Sequence, residues 1–304
     1  MLGAVTMIPP LMLTAGEQPG SLVGHVVASI FAIGITVTNW MVAVFASLVD
    51  LGWKLAAVVG AAALAAATFF GEAHRVVFPN AVKMFKTAGG EAAYMWAPET
   101  GGPWAIIRAF FFHSMVAPEI TFKVNWRHEN WPMMSMQFSG LFSGVHGWSC
   151  VATLSWTLLL MAGFAALATL KDQIRLRTTL LLSILYQFLL HLLYGRETFL
   201  YGIHFMPLLI LCVALATRTR WRPVVLALSA VLCVSASINN YRQFEWCHAY
   251  VMRGDRLQEK QAPQHKRLGI PLDKSDPTWN YRFWRDVLHW GPPLQKGWDA
   301  DMFK

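Results

Sequence analysis

Residues 148–193 read WSCVATLSWTLLLMAGFAALATL, then KDQIRLR, then TTLLLSILYQFLLHLL, which is two apolar runs separated by a basic loop. A helix needs about 20 mostly apolar residues to cross the roughly 30 Å hydrocarbon core of a bilayer. The first run, Trp148–Leu170, has that length and contains no charged residue, and the second, Thr178–Leu193, is nearly as apolar. The stretch therefore predicts two transmembrane helices joined by a short polar turn.

Four further segments of this kind lie on either side of the pair. They predict spans over about Leu22–Val49, Leu51–Phe70, Leu200–Ala216 and Pro223–Ile238. The second of these is rich in alanine and glycine, which suits close packing of one helix against another. The fold class predicted is all-α, a polytopic transmembrane helical bundle of about six spans.

The composition supports a membrane protein and excludes a nucleic-acid-binding one. The 304-residue chain is 55% hydrophobic and only 14% charged, whereas soluble domains carry about a quarter charged residues. Residues 241–304 hold eleven of the 25 basic and eight of the 17 acidic residues, so a membrane domain over 1–240 and a polar, aromatic-rich tail over 241–304 are predicted. The net charge is +8, but the basic residues form no stripe interleaved with aromatic residues, and many of them lie in short loops between apolar segments.

The basic loops predict the orientation. Lys171, Arg175 and Arg177 lie between two spans, and the next basic loop holds Arg218, Arg220 and Arg222. By the positive-inside rule both loops are cytoplasmic. The loop over 72–147, the turn over 194–201 and the tail are then extracytoplasmic.

Two segments outside the spans have patterns of their own. Trp104–Val116 reads WAIIRAFFFHSMV, which is too short to span and predicts an interfacial or re-entrant helix. In Asn280–Trp290, apolar residues recur at helical spacing and predict a short tail helix with one aromatic face. We expect that helix to pack on the membrane domain or to lie at the lipid surface.

The strongest candidate site lies at the turn Tyr-Gly-Arg-Glu-Thr-Phe-Leu-Tyr-Gly-Ile-His-Phe, residues 194–205. Ionisable residues at membrane depth are costly and often mark function, so Arg196, Glu197, Tyr201 and His204 are candidate substrate-binding residues. Arginine can bind a phosphate bidentately, and glutamate or histidine can hold a sugar hydroxyl or move a proton. The structural alternative is that Arg196 and Glu197 pair with each other or with headgroups, while His204 bonds a buried carbonyl.

A second candidate patch is Arg108, His113 and Glu119, on or just after the short apolar helix. If that helix re-enters the membrane, these residues could line the same cavity. If it is interfacial, their side chains lie in water. The ten histidines and four cysteines show no metal or haem spacing, so neither a metal site nor a cofactor is predicted.

Two stretches together resemble a known family. Ile35-Thr-Val-Thr-Asn-Trp40 and Arg196-Glu-Thr-Phe-Leu-Tyr-Gly-Ile-His-Phe-Met-Pro207 are similar to segments in the C-terminal halves of bacterial GT-C type polytopic glycosyltransferases. The resemblance implies a bacterial inner-membrane protein that binds a polyprenyl-phosphate sugar donor at the outer face, with Arg196 contacting the phosphate. Such enzymes carry an acidic catalytic residue after their first span, whereas Glu17 is the only acid here before Asp50. The resemblance therefore implies a chain that lacks its catalytic half or a relative that has lost the activity.

The alternative from the sequence is a non-catalytic membrane subunit or scaffold. Its protein partners would bind through the loop over 72–147 and the tail over 241–304. A transporter ranks last, because no inverted repeat, pair of broken helices or charged residue at mid-membrane is evident in the sequence.

Overall fold

The computed structural model describes residues 2–78, 101–124, 132–195 and 198–267. The chain folds as an all-α bundle with one short antiparallel ribbon, in which Thr121–Val124 (β1) pairs with Pro132–Ser135 (β2). A π-helix, Ala109–His113, continues the short helix α5. The helices are α1 Leu2–Val5, α2 Ile8–Ala15, α3 Leu22–Ile35, α4 Val37–Val77, α5 Gly102–Arg108, α6 His146–Thr169, α7 Ile174–Leu193, α8 Gly202–Leu215 and α9 Arg222–Arg267.

The bundle is that of an integral membrane protein. Within the described residues, five helical segments are long and apolar enough to cross a bilayer: Val37–Val77, Gly147–Thr169, Ile174–Leu193, Thr198–Arg218 and Arg222–Ala249. The outward face of α6 is apolar, because Leu154, Leu158 and Met161 form an exposed stripe at helical spacing. A soluble protein would bury such a stripe, whereas lipid tails are as apolar as leucine.

The first predicted span, Leu22–Val49, is wrong in one respect, because the helix breaks at Thr36. Thr36 is extended, with φ −159° and ψ 127°, and the chain reverses there. The Nε1 of Trp40 donates to Ser29 Oγ at 2.6 Å, and Ser47 Oγ lies 3.1 Å from His25 Nδ1. In a straight helix residues 25 and 47 would be about 33 Å apart.

Residues 22–51 thus form an antiparallel pair of short helices, which we call the Thr36 hairpin. A second reversal follows at Gly52, whose φ of 79° suits glycine. Ile33 of the hairpin packs with Ala63 and Ala67 beyond that reversal. The remainder of α4 is the second predicted span, and its alanines allow this close packing.

The main core lies where α6 meets α8 and α9. Trp156 is buried there and donates from Nε1 to the Phe111 carbonyl at 2.6 Å, which fixes the π-helix against α6. Gly163 lets α6 approach α8 closely, because a Cβ at this position would lie 2.9 Å from the Cys212 carbonyl carbon.

The two predicted basic loops lie at the same end of the bundle. Arg218 and Asp172 form an ion pair of 2.6 Å between them. Arg177 donates from Nε to the Leu167 carbonyl at 2.8 Å and so caps the C-terminus of α6. We call this the basic end, defined by residues 171–177 and 218–222. We call the opposite end the loop end, and it holds residues 101–124, 132–145, 194–195 and 198–201.

At the loop end, the short helix predicted over Trp104–Val116 is present as α5 and the π-helix. Its Ala105, Ile106, Ala109 and Phe110 are buried, so it packs into the bundle. Helix α9 crosses the predicted domain boundary between residues 240 and 241 without a break. The predicted tail helix Asn280–Trp290 lies outside the described residues.

Candidate functional site

The tip of the Thr36 hairpin lies beside the loop-end halves of α7 and α8. Gln187 of α7 donates from Nε2 to the Thr38 carbonyl at 3.2 Å. Because Gln187 is 13 residues from the start of α7, the contact lies about 20 Å along the helix from the basic end. The hairpin therefore enters from the basic end and places its turn in the loop-end half of the bundle.

A buried ionic cluster fixes the open end of this hairpin. The side chain of Asp50 is fully buried and accepts from Arg175 Nη1 at 2.5 Å, from the Gly20 amide at 2.6 Å and from His25 Nε2 at 2.9 Å. Arg175 also donates to the Gly16 carbonyl. The cluster ties both legs of the hairpin to the start of α7, and sequence reasoning missed it.

A cavity of about 650 Å³ opens at the hairpin tip. Thr36, Val37 and Thr38 line one side of it. Five more lining residues belong to α7 and its end, and these are Tyr186, Gln187, Leu190, His191 and Tyr194. Tyr201 and His204 complete the lining. The two stretches that carry the family resemblance thus contribute to one cavity.

The hairpin tip presents the start of a helix to this cavity. Thr36 makes no side-chain cap to α4, since its hydroxyl pairs instead with that of Thr38 at 2.8 Å. The first amides of a helix carry a partial positive charge. With hydroxyls, imidazoles and an amide around it, the cavity can bind a polar or anionic group.

A chain of hydrogen bonds holds His204 in place. Asn39 donates from Nδ2 to Thr6 Oγ1 at 3.2 Å, and its Oδ1 lies 3.0 Å from His204 Nδ1. Because an amide oxygen is an acceptor, His204 Nδ1 is the donor in this contact. His204 thus lies on the third residue of α8 at the cavity, close to the position predicted for it.

His191 lines the cavity although it was not among the predicted site residues. It is almost fully buried, and Nδ1 donates to the Gln187 carbonyl one turn earlier at 2.6 Å. Its ring packs edge-on to Phe205 and Tyr201, with centroids 5.1 and 5.7 Å away. The signal in the sequence was the polar pair Gln187 and His191 at i, i+4 in an otherwise apolar segment.

The structure does not bring the second predicted patch into this cavity. Of the residues that the structure describes, those lining the cavity do not include Arg108, His113 or Glu119. The π-helix that follows Arg108 packs against α8 next to the cavity, because Phe110 stacks on Phe205 with ring centroids 4.0 Å apart. Glu119 follows the π-helix, and its carbonyl accepts from Ser139 Oγ at 2.6 Å.

His113 is buried beneath the loop end, close to the partly exposed Arg108. Both ring nitrogens, like Arg108 Nε, lie outside hydrogen-bond geometry with the part of the chain that the structure describes. Burial, and after it the positive charge of Arg108, lowers the pKa of His113 from 6.5 to about 4. The imidazole is therefore neutral near pH 7.

Arg196 and Glu197 lie outside the described residues, but the residues flanking them are described. Gln137 is fully buried and donates from Nε2 to the Gly195 carbonyl at 2.8 Å. Its Oε1 accepts from the Thr198 amide at 3.1 Å. One carboxamide from the loop thus clamps both ends of the turn, which lies in sequence between the cavity residues Tyr194 and Tyr201.

No family model, curated protein or solved structure matches this chain. Across the described ranges, no group of three or more histidine, cysteine, aspartate or glutamate residues is placed to hold a metal.

Proposed function

We propose that this protein binds a polyprenyl-phosphate or similar phosphorylated lipid in the loop-end cavity, as a relative of GT-C type glycosyltransferases. The observation that carries the proposal is the cavity of about 650 Å³ within the bundle, lined by hydroxyl, amide and imidazole groups. Polar side chains with only a structural role would bond to one another and leave no space between them. The polar side chains here surround a space large enough for a ligand headgroup.

The hairpin tip supports a phosphate as part of the ligand. A half-helix that begins inside a membrane domain directs its positive end at an anionic ligand group. The turn between Tyr194 and Tyr201 carries Arg196, which we propose as the second phosphate contact. The basic end would be cytoplasmic and the loop end extracytoplasmic, in a bacterial inner membrane.

The test is equilibrium binding of a polyprenyl phosphate to the protein in lipid nanodiscs. Val37→Trp would fill the cavity from the hairpin tip, and Arg196→Ala would remove the proposed phosphate contact. Val76→Trp, at a position of the same helix that is 82% exposed, is the matched control. We expect saturable binding that Val37→Trp abolishes, that Arg196→Ala weakens at least tenfold and that Val76→Trp leaves unchanged.

The outcomes separate the proposal from the scaffold alternative. Hydrolysis or transfer of a labelled hexose from the bound lipid in the same nanodiscs would make the protein an enzyme. Binding without turnover would make it a non-catalytic lipid-binding subunit. If wild-type protein fails to bind and co-purifies with a stoichiometric protein that is lost on truncation after Ala249, the proposal is rejected in favour of the scaffold.

A further inference from the structure

Three arginines at the basic end are engaged within the bundle. Arg175 pairs with the buried Asp50, and Arg218 pairs with Asp172 at 2.6 Å. Arg177 donates from Nε to a carbonyl at the end of α6, where the helix dipole is negative. The charges of these three arginines are therefore balanced by carboxylates or by the end of a helix.

Three more cations at this end have exposed side chains, and these are Lys171, Arg220 and Arg222. Within the described ranges of the chain, no ion pair includes any of them. The ion pair between Asp172 and Arg218 joins the two loops that carry these cations. The three side chains therefore form one exposed positive surface across two adjacent loops, which we call the Arg220 patch.

Apolar surface begins directly beside the Arg220 patch. The guanidinium of Arg220 lies over the exposed ring of Trp221, with its central carbon 5.3 Å from the ring centroid. Leu226 is exposed one helical turn after Arg222 and so lies on the same face of α9. Tryptophan and basic residues at the end of a span are typical of the headgroup layer. An acyl chain can therefore pack on Leu226 while the headgroup of the same lipid meets Arg222.

We infer that the Arg220 patch binds an anionic phospholipid of the phosphatidylglycerol type, with its phosphate among Lys171, Arg220 and Arg222. Arginine binds phosphate oxygens bidentately, and each basic residue near an anionic headgroup contributes a factor of about five in affinity. The apolar face with Leu226 favours a lipid over a soluble anion, because it holds the acyl chain. The patch shares no residue with the cavity lining, so it is independent of the proposed function.

The test is native mass spectrometry of the full chain in a neutral detergent, titrated with dioleoyl phosphatidylglycerol or dioleoyl phosphatidylcholine. The two lipids share their acyl chains, so a difference in affinity reports the headgroup. We expect the first phosphatidylglycerol to bind at least tenfold more tightly than phosphatidylcholine. Glycerol 3-phosphate, which has the phosphate without the chains, should not displace it. Displacement by glycerol 3-phosphate would identify a site for soluble phosphates and overturn the lipid inference.

Single-charge variants test whether the patch itself, rather than the net charge of the protein, selects the lipid. Arg220→Gln and Arg222→Gln should each lower the preference for phosphatidylglycerol about three- to fivefold. Arg242→Gln is the matched control, because Arg242 is also exposed on α9 but lies about 30 Å along the helix from Arg222. The control should leave the preference unchanged. An equal fall in all three variants would show that the preference follows net charge, and the patch would not be the site.

A cavity variant separates this site from the one at the hairpin tip. Val37→Trp fills the cavity and should leave phosphatidylglycerol binding unchanged. Loss of phosphatidylglycerol binding in Val37→Trp would place that lipid in the cavity and overturn the inference. Equal wild-type affinity for phosphatidylglycerol and phosphatidylcholine overturns it as well. This last comparison uses the wild-type chain, so it holds even if a variant fails to fold.

Discussion

Replacing Asp50 with asparagine tests whether the ionic cluster at the basic end holds the Thr36 hairpin in place. The substitution keeps the shape of the side chain but removes the charge that faces Arg175 at 2.5 Å and His25 at 2.9 Å. An amide oxygen can still accept one of these bonds, while the amide nitrogen faces groups that are themselves donors. Arg175 is left with an uncompensated charge.

The loss in the free energy of unfolding caused by Asp50→Asn follows from the burial of Asp50 and Arg175. Removing one member of a fully buried ion pair costs about 3–5 kcal/mol. Here the Asp50 side chain is fully buried, but that of Arg175 is 19% exposed and keeps some contact with solvent. We therefore expect a loss of about 2–4 kcal/mol, which corresponds to a fall in Tm of roughly 5–15 °C for a domain of this size.

The assay is thermal unfolding of the purified protein in nanodiscs, with Asp172→Asn as the matched control. Asp172 pairs with Arg218 at the same end of the bundle, but both side chains are about half exposed, so the control should lower Tm by less than about 3 °C. Asp50→Asn should also weaken ligand binding at the hairpin tip. If both variants unfold at the same temperature, the cluster does not anchor the hairpin.

Three further predictions concern other parts of the bundle. Gly163→Leu should prevent the close approach of α6 and α8 and sharply reduce the amount of folded protein seen in size-exclusion chromatography. Gly147→Leu is the control and should leave that amount unchanged, because a Cβ at position 147 has no atom within 4 Å. The stability that the neutral His113 contributes should be fully present above pH 6.5, and the free energy of unfolding should fall by about 2–3 kcal/mol as the pH drops toward 4. The reason is that the pKa of His113 is about 4 in the folded state, so the unfolded state binds the proton first. Tm measured against pH should fall less in His113→Gln than in the wild type, and identical pH profiles would contradict this role of His113. Gln137→Leu should free both ends of the Arg196 turn and weaken prenyl-phosphate binding about tenfold without abolishing folding, and unchanged affinity would show that the clamp does not position the turn.

The spans could be predicted from the sequence because their length and apolarity are local properties. α6, α7 and α8 begin and end within a few residues of the predicted bounds. The break at Thr36 could not be predicted in this way, because the segment from Leu22 to Val49 is mostly apolar, holds no lysine, arginine, aspartate or glutamate, and is long enough to cross once. Only contacts across the turn, such as Trp40 with Ser29, show that the chain reverses.

Part of the cavity lining could be predicted for the same reason, while the binding role of these residues stays a prediction. Tyr201 and His204 stood out as polar residues at the end of an apolar segment, and both line the cavity. Gln187 is brought to the Thr38 carbonyl across 149 positions of the chain, and Arg175 meets Asp50 across 125. Such pairings depend on how helices pack, which the periodicity of a single segment does not encode.

The most direct test of the central claim is photo-crosslinking of a tritiated polyprenyl phosphate from position 201. A photoreactive phenylalanine analogue replaces Tyr201, at the cavity rim, and in a second protein Phe244, which is 66% exposed on α9. We expect position 201 to capture the lipid, unlabelled polyprenyl phosphate to compete for this labelling, and position 244 to capture only a background that does not respond to competitor. Equal, non-competable labelling at both positions would mean that the lipid contacts the bundle only as bulk membrane, and the proposed binding site would be wrong.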